Sequence, residues 1–183
     1  FAPYRTALDS GGQVKAINVK RGAKYSRKQL DELTDVAKRF GAGGLAWIKT
    51  ADAGETTSSL AKALGPEKVS ELALAAGSTA GDCLLIVGAK PSIVAASLGA
   101  LRLEVAEREG LIDHNKFNFL WVVDFPMFEY HEEDARYYPM HHPFTSPRDE
   151  DLDKLESDPG VVLAKAYDLV LNGVELSSGS IRI

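Results

Sequence analysis

The segment YDLVLNGVELSSGSIRI, Tyr167–Ile183, carries two carboxylates and a guanidinium in a pattern that could do chemistry. Asn172-Gly173 between apolar runs is a strong hairpin signal, because a two-residue type I′ turn needs positive φ at both positions. That turn sets Leu171 opposite Val174, Val170 opposite Glu175, and Asp168 opposite Ser177. Alternation then predicts a core face of Leu169, Leu171, Val174 and Leu176, and a second face of Asp168, Val170, Glu175 and Ser177. On that second face Asp168 and Glu175 become diagonal neighbours, roughly 7–8 Å apart at the backbone, close enough for one cation between their carboxylates. Strict alternation sends Arg182 to the opposite face; a bulge or kink at Gly179 would return it. Set between Ile181 and Ile183 on a buried strand, Arg182 needs a partner, and its planar fork suits a carboxylate or phosphate. The same pattern also fits an edge hairpin with scattered charges.

Other candidates are weaker. His141-His142 lie between Pro139 and Pro143, and adjacent residues on an extended chain point opposite ways, so at most one should face a given pocket. Neither HExxH nor a cysteine cluster supports zinc. Asp124, inside an apolar strand pattern, must be paired, face a cleft, or cap the turn at Pro126. Ser146, Ser177, Ser178 and Ser180 form no G-x-S-x-G elbow. The basic segment Lys20, Arg21, Lys24, Arg27, Lys28 reads as a solvated loop or as a phosphate-contact patch.

The elements that must position these groups follow from periodicity. Strands are expected at Val14–Val19, Gly44–Thr50 and Asp82–Gly88, the last a continuous apolar run that implies burial on both faces. Ser26 should cap a helix from Arg27 to about Phe40, and Pro66 and Pro91 should open helices ending near Ala76 and Glu109, with a short helix over Leu60–Leu64. Ala51–Thr57 reads as a polar loop. After Leu111 the composition shifts to an aromatic, β-branched strand ending at Pro126, an acidic loop over Glu129–Arg136, and an acidic short helix or solvated loop over Asp149–Pro159. The expected fold class is α+β: a module of strands and packed helices over 1–112, then an antiparallel strand-rich piece over 113–183.

The chain carries 21 basic and 26 acidic residues, a formal charge of −5, so net charge gives no argument for a nucleic-acid partner. The single Cys83 permits no internal disulfide and fits a buried small side chain in a reducing, cytoplasmic setting. No run suggests a membrane span or signal peptide. A start at Phe1 and a stop at Ile183 inside a strand pattern suggest a piece of something longer.

FLWVVDFPMFE, MHHPFTSP and YDLVLNGVELSSGSIRI, in that order, resemble bacterial-type aspartyl-tRNA synthetases, which are class II enzymes. VKAINVKRGAKYSRKQLDEL, GGLAWIKT and LGALRLEVAEREGLID resemble their GAD insertion domain, shared with some tRNA-dependent amidotransferase subunits. The resemblance runs essentially end to end. It implies a GAD-type domain over 1–112 and part of a class II catalytic domain over 113–183, from a ligase that activates L-aspartate with ATP and transfers it to tRNA. It further implies that Glu175 and Asp168 hold ATP and Mg2+, that Arg182 clamps the aspartate side-chain carboxylate, and that His141, with His142 beside it, lines the aspartate pocket. Ser178 stands where many bacterial members carry glycine and would approach the substrate carboxylate. The family's dimer-forming first motif, ATP-clamping second motif and third-motif arginine have no counterpart here, so the parent would be a homodimer through regions outside this chain and the isolated chain inactive. The alternative is a non-catalytic GAD-type module binding tRNA or a protein, as in amidotransferase subunits.

Overall fold

The apolar run CLLIVGA forms a strand buried on both faces, and a sheet with helices on either side is built around it. The structure, a computed structural model, describes residues 1–183. The chain divides into two compact units, Phe1–Ile112 and Asp113–Ile183.

Unit 1 runs α1 (Ala2–Asp9), β1 (Gln13–Val19), α2 (Arg27–Arg39), β2 (Ala46–Thr50), β3 (Thr56–Ser58), α3 (Ala61–Leu64), α4 (Pro66–Ala75), β4 (Cys83–Ala89) and α5 (Pro91–Arg108). Its sheet has the order β1-β4-β2-β3, every pair antiparallel. On one face Cys83, Leu85 and Val87 meet Leu30, Leu33 and Ala37 of α2 and Val94, Leu98 and Leu101 of α5. On the other, Leu84 and Ile86 meet Ile48, Leu60, Val69 and Ala73. Each fully buried leucine here contributes roughly 1.5–3 kcal/mol of transfer free energy. Ser26 caps α2 as expected, in a reciprocal capping box with Gln29. The Cys83 thiol is inert: burial pushes its pKa up to about 12.

Two elements of unit 1 depart from expectation. Thr56–Ser58 forms the edge strand β3 where a loop was expected, because Ser58 Oγ and Ser59 Oγ anchor it to the backbone of Trp47. The terminal helix α1 buries no side chain; it is held by Tyr4, whose hydroxyl donates to Ile86 O at 3.1 Å and whose ring lies against Gly88. A Cβ at Gly88 would sit 2.5 Å from that ring.

Unit 2 holds a sheet of order β5-β8-β9, formed by Phe119–Pro126, Leu163–Leu171 and Val174–Ser180, all antiparallel. Glu129–Arg136 is not a loop but most of a second hairpin, β6 (Phe128–His131) with β7 (Arg136–Pro139). Cross-strand rings Tyr130–Tyr137 at 5.1 Å and His131–Tyr138 at 4.6 Å hold it together. Its turn uses Ala135 at φ 49°, a left-handed residue without glycine or asparagine to announce it. The acidic segment closes as a short 3-10 turn, Asp149–Lys154, in which buried Asp151 accepts from Leu163 N at 3.1 Å and pairs with Lys154 at 2.6 Å.

One carboxylate ties unit 1 together. Asp82, with a side chain 3% exposed, accepts from Lys20 Nζ at 2.6 Å, Thr79 N at 2.9 Å, Thr79 Oγ1 at 3.0 Å and Asn18 Nδ2 at 3.1 Å. Burial alone would raise its pKa, but these donors outweigh it and hold the carboxyl well below the ordinary 3.8. A depressed folded-state value means its contribution is complete above the unfolded-chain pKa and drains away as pH falls below it. Asp82→Asn should therefore cost about 1–3 kcal/mol near neutral pH and flatten the acid limb of the stability curve below about pH 4. Urea unfolding at pH 7 and pH 3 checks this; an equal loss at both would contradict it.

Candidate functional site

The hairpin that carries the carboxylates turns at Asn172 (φ 49°) and Gly173 (φ 83°), both in the left-handed region that a type I′ turn demands. Asn172 also fastens β5: its side chain accepts from Asn118 N at 2.9 Å and donates to Lys116 O at 2.7 Å. Next to the turn the register is the expected one, Leu171 opposite Val174 and Val170 opposite Glu175. It then shifts. Leu169 faces Ser177 and Asp168 faces Ser178, so Leu176 is an extra residue, a β-bulge.

This bulge corrects the expected face assignment. Asp168 lies opposite Ser178, not Ser177. The extra residue puts Glu175, Ser178, Ser180 and Arg182 on one side, the side that also bears Ala166 and Asp168. A shift was needed to bring Arg182 to the carboxylate face, but it sits at Leu176 rather than at Gly179. Gly179 stays in the ladder opposite Tyr167, and its reason is close approach: a Cβ there would be 2.7 Å from the Tyr167 hydroxyl. The leucine face is not a core either. Val174 is 63% and Leu176 52% exposed, since no element of the unit packs over that end of the sheet. For the same reason Ile181 and Ile183 are exposed, and Arg182 is a surface guanidinium rather than a buried one.

A second segment closes the site. Phe144–Ser146 runs along Ile181–Ile183, with Ser146 N donating to Ile181 O at 2.8 Å, Ile183 N to Phe144 O at 3.0 Å, and a bridge between Thr145 and Arg182. The chain bends before it, with Thr145 N reaching His142 O at 2.8 Å. Because His141-His142 occupies this bend instead of extended backbone, both rings reach the same cleft, contrary to the extended-chain expectation. His141 Nε2 donates to Pro126 O at 3.0 Å, which fixes that proton and leaves Nδ1 as the nitrogen available to a ligand. His142 is held the other way, Nδ1 accepting from Phe144 N at 3.2 Å. Phe125 stands edge-on to His141 at 5.8 Å between ring centres.

The result is an open cleft of about 340 Å³. Asp168 stands directly across from Ser178, with Glu175 towards the β8–β9 turn and Arg182 on the other side. None of these four side chains forms an ion pair or hydrogen bond within the protein, whereas Asp124, Asp149 and Asp151 nearby are matched by Arg148, Lys165 and Lys154. Asp124, read as paired, cleft-facing or capping, is the paired case, at a second irregularity in β5 with φ 63°. No group of three or more His, Cys, Asp or Glu side chains converges to hold a metal by itself. An apolar groove of about 360 Å³ beside α1, lined by Tyr4, Leu8, Leu60 and Leu72, brings no polar groups together comparable to these.

The basic segment does not assemble as a free patch. Lys20 is spent on Asp82, Lys24 pairs with Glu109 at 2.6 Å, and Arg27 with Asp31 at 3.0 Å. Arg21 and Lys28 keep unpaired charges; Arg21 sits at φ 59° with its backbone N 3.4 Å from Asp82 Oδ1.

Comparison with known proteins adds the following. The GAD domain family matches residues 4–98. Over its whole length the chain is 54% identical to an aspartate–tRNA ligase of Exiguobacterium sibiricum and 50% identical to that of Staphylococcus carnosus. It is likewise 50% identical to an aspartate–tRNA(Asp/Asn) ligase of Caldanaerobacter subterraneus. The chain spans 31% of the length of each of these relatives.

A guanidinium with no partner in the protein has no structural duty. Arg182→Ala should leave the stability of the chain within about 0.5 kcal/mol of wild type by urea unfolding. A loss above about 1.5 kcal/mol would make Arg182 a structural residue.

Proposed function

The chain belongs to the GAD domain family, and we propose that it is a piece of an aspartate–tRNA ligase, with Asp113–Ile183 forming one side of the aspartate and ATP site. The observation that carries this reading is the unpaired state of the cleft. Asp168, Glu175, Ser178 and Arg182 converge there without spending their charges or donors on one another, in a chain about half identical to such ligases throughout. The function is that of the parent: L-aspartate is activated with ATP, with release of pyrophosphate, and esterified to tRNA.

Arg182 takes the side-chain carboxylate of aspartate in a planar fork, which rejects the isosteric amide because an amide offers only one acceptor. His141, its Nε2 proton committed to Pro126 O, presents Nδ1 to the amino acid, and His142 borders the same pocket. Ser178 offers a free hydroxyl between the two ends. Asp168 and Glu175 face the nucleotide. Two unpaired carboxylates are hard oxygen donors that fit Mg2+, so Asp168 and Glu175 would hold it together with ATP. Magnesium, when bound, neutralises phosphate charge. The basic segment Lys20, Arg21, Lys24, Arg27 and Lys28 is the candidate phosphate contact of unit 1, with Arg21 and Lys28 the two that carry no ion pair.

Pyrophosphate exchange by the full-length enzyme tests the reading. Arg182→Lys should raise the aspartate KM about thirty-fold or more with little change for ATP, because an ammonium cannot reproduce the fork. Glu175→Gln should shift the defect to ATP and magnesium. Equal aspartate dependence in wild type and Arg182→Lys would overturn the clamp. The 183-residue chain alone should support no aspartate-dependent exchange.

A further inference from the structure

Three backbone segments meet beneath Arg182 in a closed ring of hydrogen bonds. Ser146 N donates to Ile181 O at 2.8 Å, Ile181 N to Lys165 O at 2.9 Å, and Lys165 N to Ser146 O at 2.9 Å. Beside this ring Thr145, 2% exposed, shares a hydrogen bond of 3.2 Å between its hydroxyl and that of Ser180. Thr145 is also the bridge partner of Arg182, and Ser180 lies opposite Ala166 on the cleft floor. The two hydroxyls are thus the only side-chain bond between the segment carrying His141 and His142 and the strand carrying Arg182.

We propose that Thr145 is the positioning residue for Arg182: its hydroxyl, bonded to Ser180, fixes the Arg182 strand against the histidine segment and so sets where the fork meets the aspartate carboxylate. The functional half of this inference rests on the ligase reading; the latch itself does not. Burial makes the side-chain bond consequential. A hydroxyl taken from water and left without a partner is unfavourable, so Thr145 and Ser180 hold each other in one arrangement. Arg182 has no ion pair to orient it, and only its backbone register remains to do so. Thr145 lines the same cleft but its side chain bonds to Ser180 and to neither carboxylate, so its influence should fall on the amino acid rather than on ATP.

Two measurements separate the latch from the ligase reading. Thr145→Val deletes the hydroxyl at nearly constant volume, Ser180→Ala deletes its partner, and Thr145→Ser keeps the bond. In the 183-residue chain, amide hydrogen exchange at Ser146 and Ile181 should quicken about three- to tenfold in Thr145→Val and Ser180→Ala, relative to Leu169, and stay at wild-type rates in Thr145→Ser. In the full-length enzyme the first two variants should raise the aspartate KM about three- to tenfold, with the ATP KM unchanged and Thr145→Ser restoring it. Unchanged exchange at Ser146 and Ile181 would overturn the latch. Faster exchange with an unchanged aspartate KM, or with both KM values rising together, would overturn the positioning role. A wild-type enzyme without aspartate-dependent exchange would remove the ligase reading while the exchange rates still decided the latch.

Discussion

One extra residue in β9 decides what the cleft contains. Side chains on a strand alternate, so in an unbroken β8–β9 ladder Glu175 and Arg182 would lie on opposite faces of the sheet. Leu176 breaks the ladder, and everything beyond it changes face together: Ser178, Ser180 and Arg182 join Glu175 and Asp168. The histidine segment then has a neighbour to run along, because Ile181–Ile183 presents its backbone to Phe144–Ser146. A bulge also strengthens local twist, which suits a strand that must leave its sheet and pair with a second segment.

The two ends of the chain solve different problems. Unit 1 buries a central strand on both faces and matches its one deeply buried acid, Asp82, with four side-chain and backbone donors. Unit 2 leaves Phe119, Trp121, Val123 and Val174 exposed and its cleft residues unpaired. A buried acid matched by its donors stabilises a fold, whereas cleft groups left without partners are available to a ligand.

Much of this was legible in the sequence because local rules and tertiary packing agree. Helix α2 follows from Ser26, Gln29 and the Leu30–Leu33–Ala37 stripe; β4 follows from an unbroken apolar run; the Asn172-Gly173 turn follows from φ alone. The cleft residues were legible too, as types at a spacing, but their arrangement was not. Leu176 carries no mark of a bulge, and Gly179, the residue that looks like one, is there for the Tyr167 ring. The bend at His141-His142 depends on Ser146 finding Ile181, a contact that no local pattern reports. Helix α1 and the hairpin β6–β7 were missed for related reasons: one is held by a single tyrosine, the other turns on an alanine with positive φ.

The register across Leu176 is the most direct test. Cross-strand proton contacts measured by NMR on the 183-residue chain distinguish the two ladders without any ligand or activity. The account predicts backbone contacts that pair Leu169 with Ser177 and Asp168 with Ser178, while Val170 remains paired with Glu175. Contacts pairing Asp168 with Ser177 and Leu169 with Leu176 would describe an unbroken ladder, separate Ser178 from Asp168, and contradict the cleft as built here.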